Sequence, residues 1–189
     1  GSMETQKLVE TIPSDELWSS VCLATKECRE CRGEGETRYP DDNESRQTCT
    51  SCKGTGRIWV LPGMQERCGE CVVFEGTCAP TKNPQRVCDT PQHKGHMKIG
   101  REYCGDCHST GWIAKCNLGA LWAALPQEWM VDATKDDSSR STVVSVLIPL
   151  YAEADTYISQ SADIEKALLR AVAKALVAQG AELGGKEKP

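Results

Sequence analysis

Twelve cysteines, all between Cys22 and Cys116, constrain this chain more than any other feature. Eight of them form four C-x-x-C pairs: Cys28/Cys31, Cys49/Cys52, Cys68/Cys71 and Cys104/Cys107. Two intervening residues let both thiolates of a tight turn point at one tetrahedral ion, with Zn–S of about 2.3 Å. Two such turns supply four sulfurs and close the shell. A closed shell leaves no position for water, which argues for a structural metal. No basic-then-apolar leader precedes the first helical segment, so the cysteines are expected to ligate metal in a reducing, cytoplasmic setting rather than form disulfides. No apolar run approaches the ~18 residues of a membrane span, so no membrane partner is expected.

Glycines follow two of the pairs at a fixed offset. Cys28 opens C-R-E-C-R-G-E-G and Cys49 opens C-T-S-C-K-G-T-G. Cys104 opens C-G-D-C-H-S-T-G and keeps the second glycine, whereas Cys68 opens C-G-E-C-V-V-F-E-G and keeps neither in register. Glycine adopts positive φ without steric cost, so the chain can turn back beside a metal at these places.

The cysteine boundary divides the chain into residues 1–24, 25–116 and 117–189. In the first part, Ser14 reads as the cap of a short helix carrying Leu17, Trp18, Val21 and Cys22 at helical spacing. The middle part is rich in Gly, Pro and polar residues and has little periodicity. The last part returns to globular patterning. Leu118 to Leu125 reads as a helix stopped by Pro126. Trp129–Ala133 reads as a strand, Thr142–Ile148 as a buried strand and Glu153–Ile158 as an edge strand. Ser161 then caps a helix with Ile164, Leu168, Val172, Ala175 and Leu176 as its apolar stripe. Gly180 ends it, and Gly184 to Pro189 is expected to be a disordered tail. The fold class is therefore α+β: a zinc-knuckle and β-hairpin module inserted into a small two-layer α/β domain. The front helix is expected to dock on the last part and bring Cys22 near Cys116.

The repeats from Cys28 to Gly111 resemble the cysteine-rich zinc domain of the DnaJ co-chaperone family, which is defined by four C-x-x-C-x-G-x-G repeats. Two repeats match fully and two in part. The resemblance implies two zinc ions held by nested pairs. One would take Cys28, Cys31, Cys104 and Cys107, and the other Cys49, Cys52, Cys68 and Cys71. No His-Pro-Asp triplet is present, so the resemblance does not extend to a J-domain or to stimulating a partner ATPase. The Cys71–Cys104 linker is longer than the family's usual one.

Two hairpin signals bear on the pairing. Arg57–Val60 and Gln65–Arg67 around Leu61–Met64 would bring Cys52 toward Cys68, as nesting requires. Glu36–Tyr39 and Arg46–Thr48 around Pro40–Asn43 would equally bring Cys31 toward Cys49, which suits sequential pairing. Local spacing leaves both open. The long linker adds Cys78, Cys88, His93 and His96, zinc-ligand types that would make a third site against the alternative of solvated loop residues. His108 reads as a surface residue, and Cys22 and Cys116 as small buried core thiols.

Three function classes follow. The first is a non-enzymatic, zinc-stabilised protein-binding module, for which Trp59, Trp112, Tyr39, Phe74 and Tyr103 are candidate anchors, unless they merely cover the knuckles. The order of elements in the flanks also resembles small phage-encoded α-β-β-α sandwich proteins. That resemblance implies a regulator or inhibitor of a host complex. The second class is nucleic-acid binding, because the knuckles are also similar to those of lambdoid late-gene antiterminators. Residues 22–116 carry 14 basic and 13 acidic side chains, however, which is no basic stripe. The third is a chaperone-like peptide or thiol–disulfide factor. With three histidines and no nucleotide or nucleophile-elbow motif, an enzyme is not expected.

Overall fold

The β-branched, apolar run Thr142–Ile148 forms the middle of the largest sheet among the described residues. The structure is a computed structural model and describes residues 3–39, 42–67, 112–151 and 153–184. In chain order these form α1 (Met3–Glu10), α2 (Leu17–Cys22), β1 (Thr25–Glu27), β2 (Glu36–Tyr39), β3 (Asp42–Thr48), β4 (Arg57–Trp59), β5 (Gln65–Arg67) and β6 (Trp112–Ala114). There follow α3 (Leu118–Ala124), β7 (Met130–Asp136), β8 (Ser141–Pro149), β9 (Ala154–Ser161) and α4 (Ile164–Ala178). The protein is a mixed α+β protein. Contacts divide it into two units. One is built from Gly1–Ala24, Leu61–Met64 and Ala114–Gly185, the other from Thr25–Val60 and the described part of Gln65–Ile113.

In the first unit β7, β8 and β9 form an antiparallel sheet in that order, with Val131 opposite Val146 and Val144 opposite Ser159. Alternation puts Val144, Val146 and Ile148 on one face, where they are buried. Helix α4 packs on β8 and β9, and α1 and α2 pack on α4 in turn. That double contact explains why the buried set on α4 is wider than one stripe: Ala167, Leu168, Leu169, Ala171, Val172, Ala173, Ala175 and Leu176. The front helix thus docks on the last part, but through α4. Leu17 and Val21 are fully buried, and Trp18 donates its indole N–H to Glu165. Each such aliphatic side chain contributes about 1.5–3 kcal/mol on burial.

Local chemistry sets the element ends, with several departures from expectation. Ser14 opens a short 3-10 turn rather than capping α2, and no side-chain cap precedes Leu17. The cap of α4 is Asp163, whose carboxylate accepts from Glu165 N at 2.9 Å, while Ser161 supports it by accepting from Asp163 N. Ile164 is half-exposed and leaves the apolar stripe. Gly180 (φ +83) ends the helix as expected, with Ala181 N donating to Leu176 O. Gly184 is not tail: its N–H donates to Ser20 O at 3.0 Å. Residues 185–189 lie outside the described residues. Helix α1 was not foreseen. It is held by Val9, by Lys174 pairing with Glu10, and by Arg170 donating to Ile12 O at 3.2 Å just beyond it.

In the second unit, the described residues from Thr25 to Trp59 form a hairpin. β2 pairs with β3 through Glu36–Thr48, Thr37–Gln47 and Arg38–Arg46, as the sequence suggested, but β3 begins at Asp42, inside the expected turn, and a register shift there pairs Tyr39 with Asp42. β4, however, pairs with β1 through Thr25–Trp59, Lys26–Ile58 and Glu27–Arg57, not with β5. The strand order places β5 beside β6 instead. Both ladders share one register. Cys28 N donates to Gly56 O and Cys49 N to Gly35 O, each at 2.8 Å, and these bonds continue the register between the ladders. Residues 25–59 are therefore one long antiparallel hairpin, and each of its strands loops out once, over 28–35 and 49–56.

Candidate metal centre

The two excursions are the C-x-x-C-x-G-x-G repeats, and they are built alike. In each, the first glycine N–H returns to the first cysteine carbonyl at 3.1 Å: Gly33 to Cys28 and Gly54 to Cys49. Arg32 and Lys53 both take φ of +52, a left-handed step that turns the chain after the second cysteine. The second glycine N–H then points at the second sulfur at 3.2 Å, Gly35 to Cys31 and Gly56 to Cys52. The Thr55 hydroxyl, which donates to Cys52 O at 2.8 Å and accepts from Arg57 N, secures the second knuckle. Arg57 in turn donates to the hydroxyl and carbonyl of the buried Thr25 across the hairpin.

Facing each other across one register, the knuckles bring Cys28, Cys31, Cys49 and Cys52 together, all four buried. Their sulfurs lie within 4.8 Å of one another, with Cys28–Cys49 at 3.9 Å and Cys31–Cys52 at 3.6 Å. A tetrahedron with Zn–S of about 2.3 Å has edges of about 3.8 Å. The group is thus positioned to bind a metal, and its size fits zinc. Ile58 packs against the cluster and helps to exclude water.

Electrostatics agree with a site built for a cation. Burial opposes ionising Cys31. The N–H of Gly35, the thiols of Cys52 and Cys28 and the N–H of Gly33 more than offset it, holding Cys31 below its ordinary value. Cys52 is pushed up to about 11, first by burial, with the Gly56 N–H opposing and the facing Cys31 adding to the rise. The two facing thiols are thus shifted in opposite directions, Cys31 down and Cys52 up. A bound divalent cation would favour the thiolate form of each ligand. The arrangement can hold a metal, because all four sulfurs converge in one buried cluster.

Among the described residues the grouping sets Cys28 and Cys31 against Cys49 and Cys52, the arrangement of sequential rather than nested pairing, and four sulfurs are enough to complete a tetrahedral shell. Nesting came from the resemblance; the physical determinant is the first hairpin, whose register carries one repeat onto the next. Cys68, Cys71, Cys104 and Cys107, the linker residues Cys78, Cys88, His93 and His96, and His108 lie outside the described residues. Cys22 is buried as expected, but Cys116 is exposed. Of the candidate aromatic anchors, Tyr39 is exposed, at 45%. Trp59 and Trp112 are half-buried and meet edge to face, with centroids 5.7 Å apart. Phe74 and Tyr103 lie outside the described residues. Sequence reasoning did not single out the two second glycines as links between knuckles. The signal was present in the even spacing of the first two repeats on either side of a hairpin turn. No helix among the described residues is long and apolar enough to cross a membrane. Compared with protein-family models, curated proteins and solved structures, the chain matches none.

Proposed function

We propose that this is a non-enzymatic, zinc-stabilised protein-binding module, similar in kind to the DnaJ cysteine-rich domain but with sequential rather than nested zinc pairing. The observation that carries it is the closed, buried set of Cys28, Cys31, Cys49 and Cys52. With no position left for water or substrate, a metal there serves folding, on the order of 10 kcal/mol per site. A second zinc falls to Cys68, Cys71, Cys104 and Cys107, the pairs left to one another. Cys78, Cys88, His93 and His96 supply a third if the ion count requires it.

Charge favours a protein over a nucleic acid as partner. The hairpin 25–59 carries seven basic and seven acidic residues, interleaved along its first strand. Such a surface gives little of the counterion release that drives backbone binding. Exposed apolar side chains supply contact surface instead: Tyr39 at the end of β2, and Met130 (66% exposed) and Ile158 (52% exposed) on the sheet. The test pairs elemental analysis with a binding comparison. The reading expects zinc in the purified chain, no salt-dependent retention of DNA or RNA, and a partner that a photo-crosslinker at Tyr39 captures and Tyr39→Ala loses. Tight, salt-dependent nucleic-acid binding would favour the antiterminator-like alternative.

A further inference from the structure

We propose that Gly35 and Gly56 are positioning residues that lock the two knuckles into one metal site, whereas Gly33 and Gly54 act within their own knuckle. The proposal rests on the reading that Cys28, Cys31, Cys49 and Cys52 bind metal.

All four glycines need the same backbone. Their φ values are +82 and +88 for Gly33 and Gly54, and +80 and +77 for Gly35 and Gly56. Conformational strain from an added side chain is therefore equivalent at the four positions. Their surroundings are not. Gly33 and Gly54 are exposed, and their N–H groups bond within their own knuckle. The nearest atoms to a Cβ there would be side-chain atoms at 3.0 Å, Cγ of Glu27 and Cγ2 of Thr48, with Gly35 O the nearest backbone atom to the one on Gly54, at 3.9 Å.

Gly35 and Gly56 are buried and act on both knuckles. Each donates its N–H to the second sulfur of its own knuckle and accepts, through its carbonyl, the first cysteine N–H of the other. The bare Cα also admits the opposing backbone. A Cβ on Gly35 would lie 2.4 Å from Gly54 O, and one on Gly56 would lie 2.2 Å from Gly33 O. Backbone cannot swing aside as a side-chain end can, so the knuckles would have to separate and the four sulfurs with them. The arrangement is reciprocal, so a change on either strand loosens all four ligands.

The test uses the full-length reduced protein, with zinc competed against a chelating indicator and cobalt(II) as a spectroscopic probe. Gly33→Ala and Gly54→Ala should weaken the site about tenfold or less, the cost of left-handed strain alone, and leave the thiolate–cobalt bands in place. Gly35→Ala and Gly56→Ala should weaken it about a hundredfold and shift those bands. The double variant G35A/G56A should lose less than the product of its parents. Equal losses at all four positions, or independent losses in the double variant, overturn the proposal. A wild-type chain with no sulfur-bound cobalt overturns the metal reading as well, which tells the two failures apart. Because a variant can fail to fold, the unsubstituted protein supplies a second measurement. Amides of Cys28 and Cys49 should lose hydrogen-exchange protection together on chelation, and independent exchange overturns the coupling.

Discussion

Cys22 ends α2 fully buried, and its thiol is pushed up to about 12, first by burial and then by the nearby Cys116. A raised thiol favours the fold while the unfolded thiol would also be protonated. This contribution is complete below the ordinary value of 9.0 and is lost as pH rises through about 12. Alkaline titration of the first unit should show that limb, and Cys22→Ala should flatten it while lowering stability at neutral pH. An unchanged limb would place the titration elsewhere. At this scale the sequence was informative about ligand chemistry. The spacing of Cys28/Cys31 and Cys49/Cys52 and the turn-forming glycines could be read from residue types, because a knuckle is a local object. The exposure of Cys116 could not, since nothing local distinguishes a core thiol from a surface one.

Helix α4 was readable as an element because its pattern and its Gly180 stop are local signals. Its environment was not, and the extra helix α1 went unseen because Val9 is its one fully buried apolar residue among those whose burial is described. The fully buried Leu17 belongs to α2, whose main packing partner is α4. Leu17→Ala should therefore lower the stability of the first unit by about 3 kcal/mol. A thermal midpoint within a degree of wild type would show that α2 does not support that core. Strand pairing marks the limit of local reading. Arg57–Trp59 and Gln65–Arg67 flank a good turn signal, and Gly63 does take φ of +91 there. Leu61 and Met64 are nevertheless buried in the first unit, and β4 belongs to the register begun by β1. A nearby turn lost to a register set some thirty residues away.

For the whole molecule, two units alternate along the chain, one with an apolar core and one with buried sulfurs in that role. The return of Leu61–Met64 to the first unit was not legible in the sequence, because two buried side chains in a polar stretch carry little signal. The central claim is that Cys28, Cys31, Cys49 and Cys52 form a complete metal site by themselves. The most direct test is to change Cys68, Cys71, Cys104 and Cys107 together to serine and measure zinc content and the ligand shell by X-ray absorption. The sequential arrangement predicts that one zinc with four sulfur neighbours is retained. A chain that retains no zinc with four sulfur neighbours, as nested pairing requires, would contradict it.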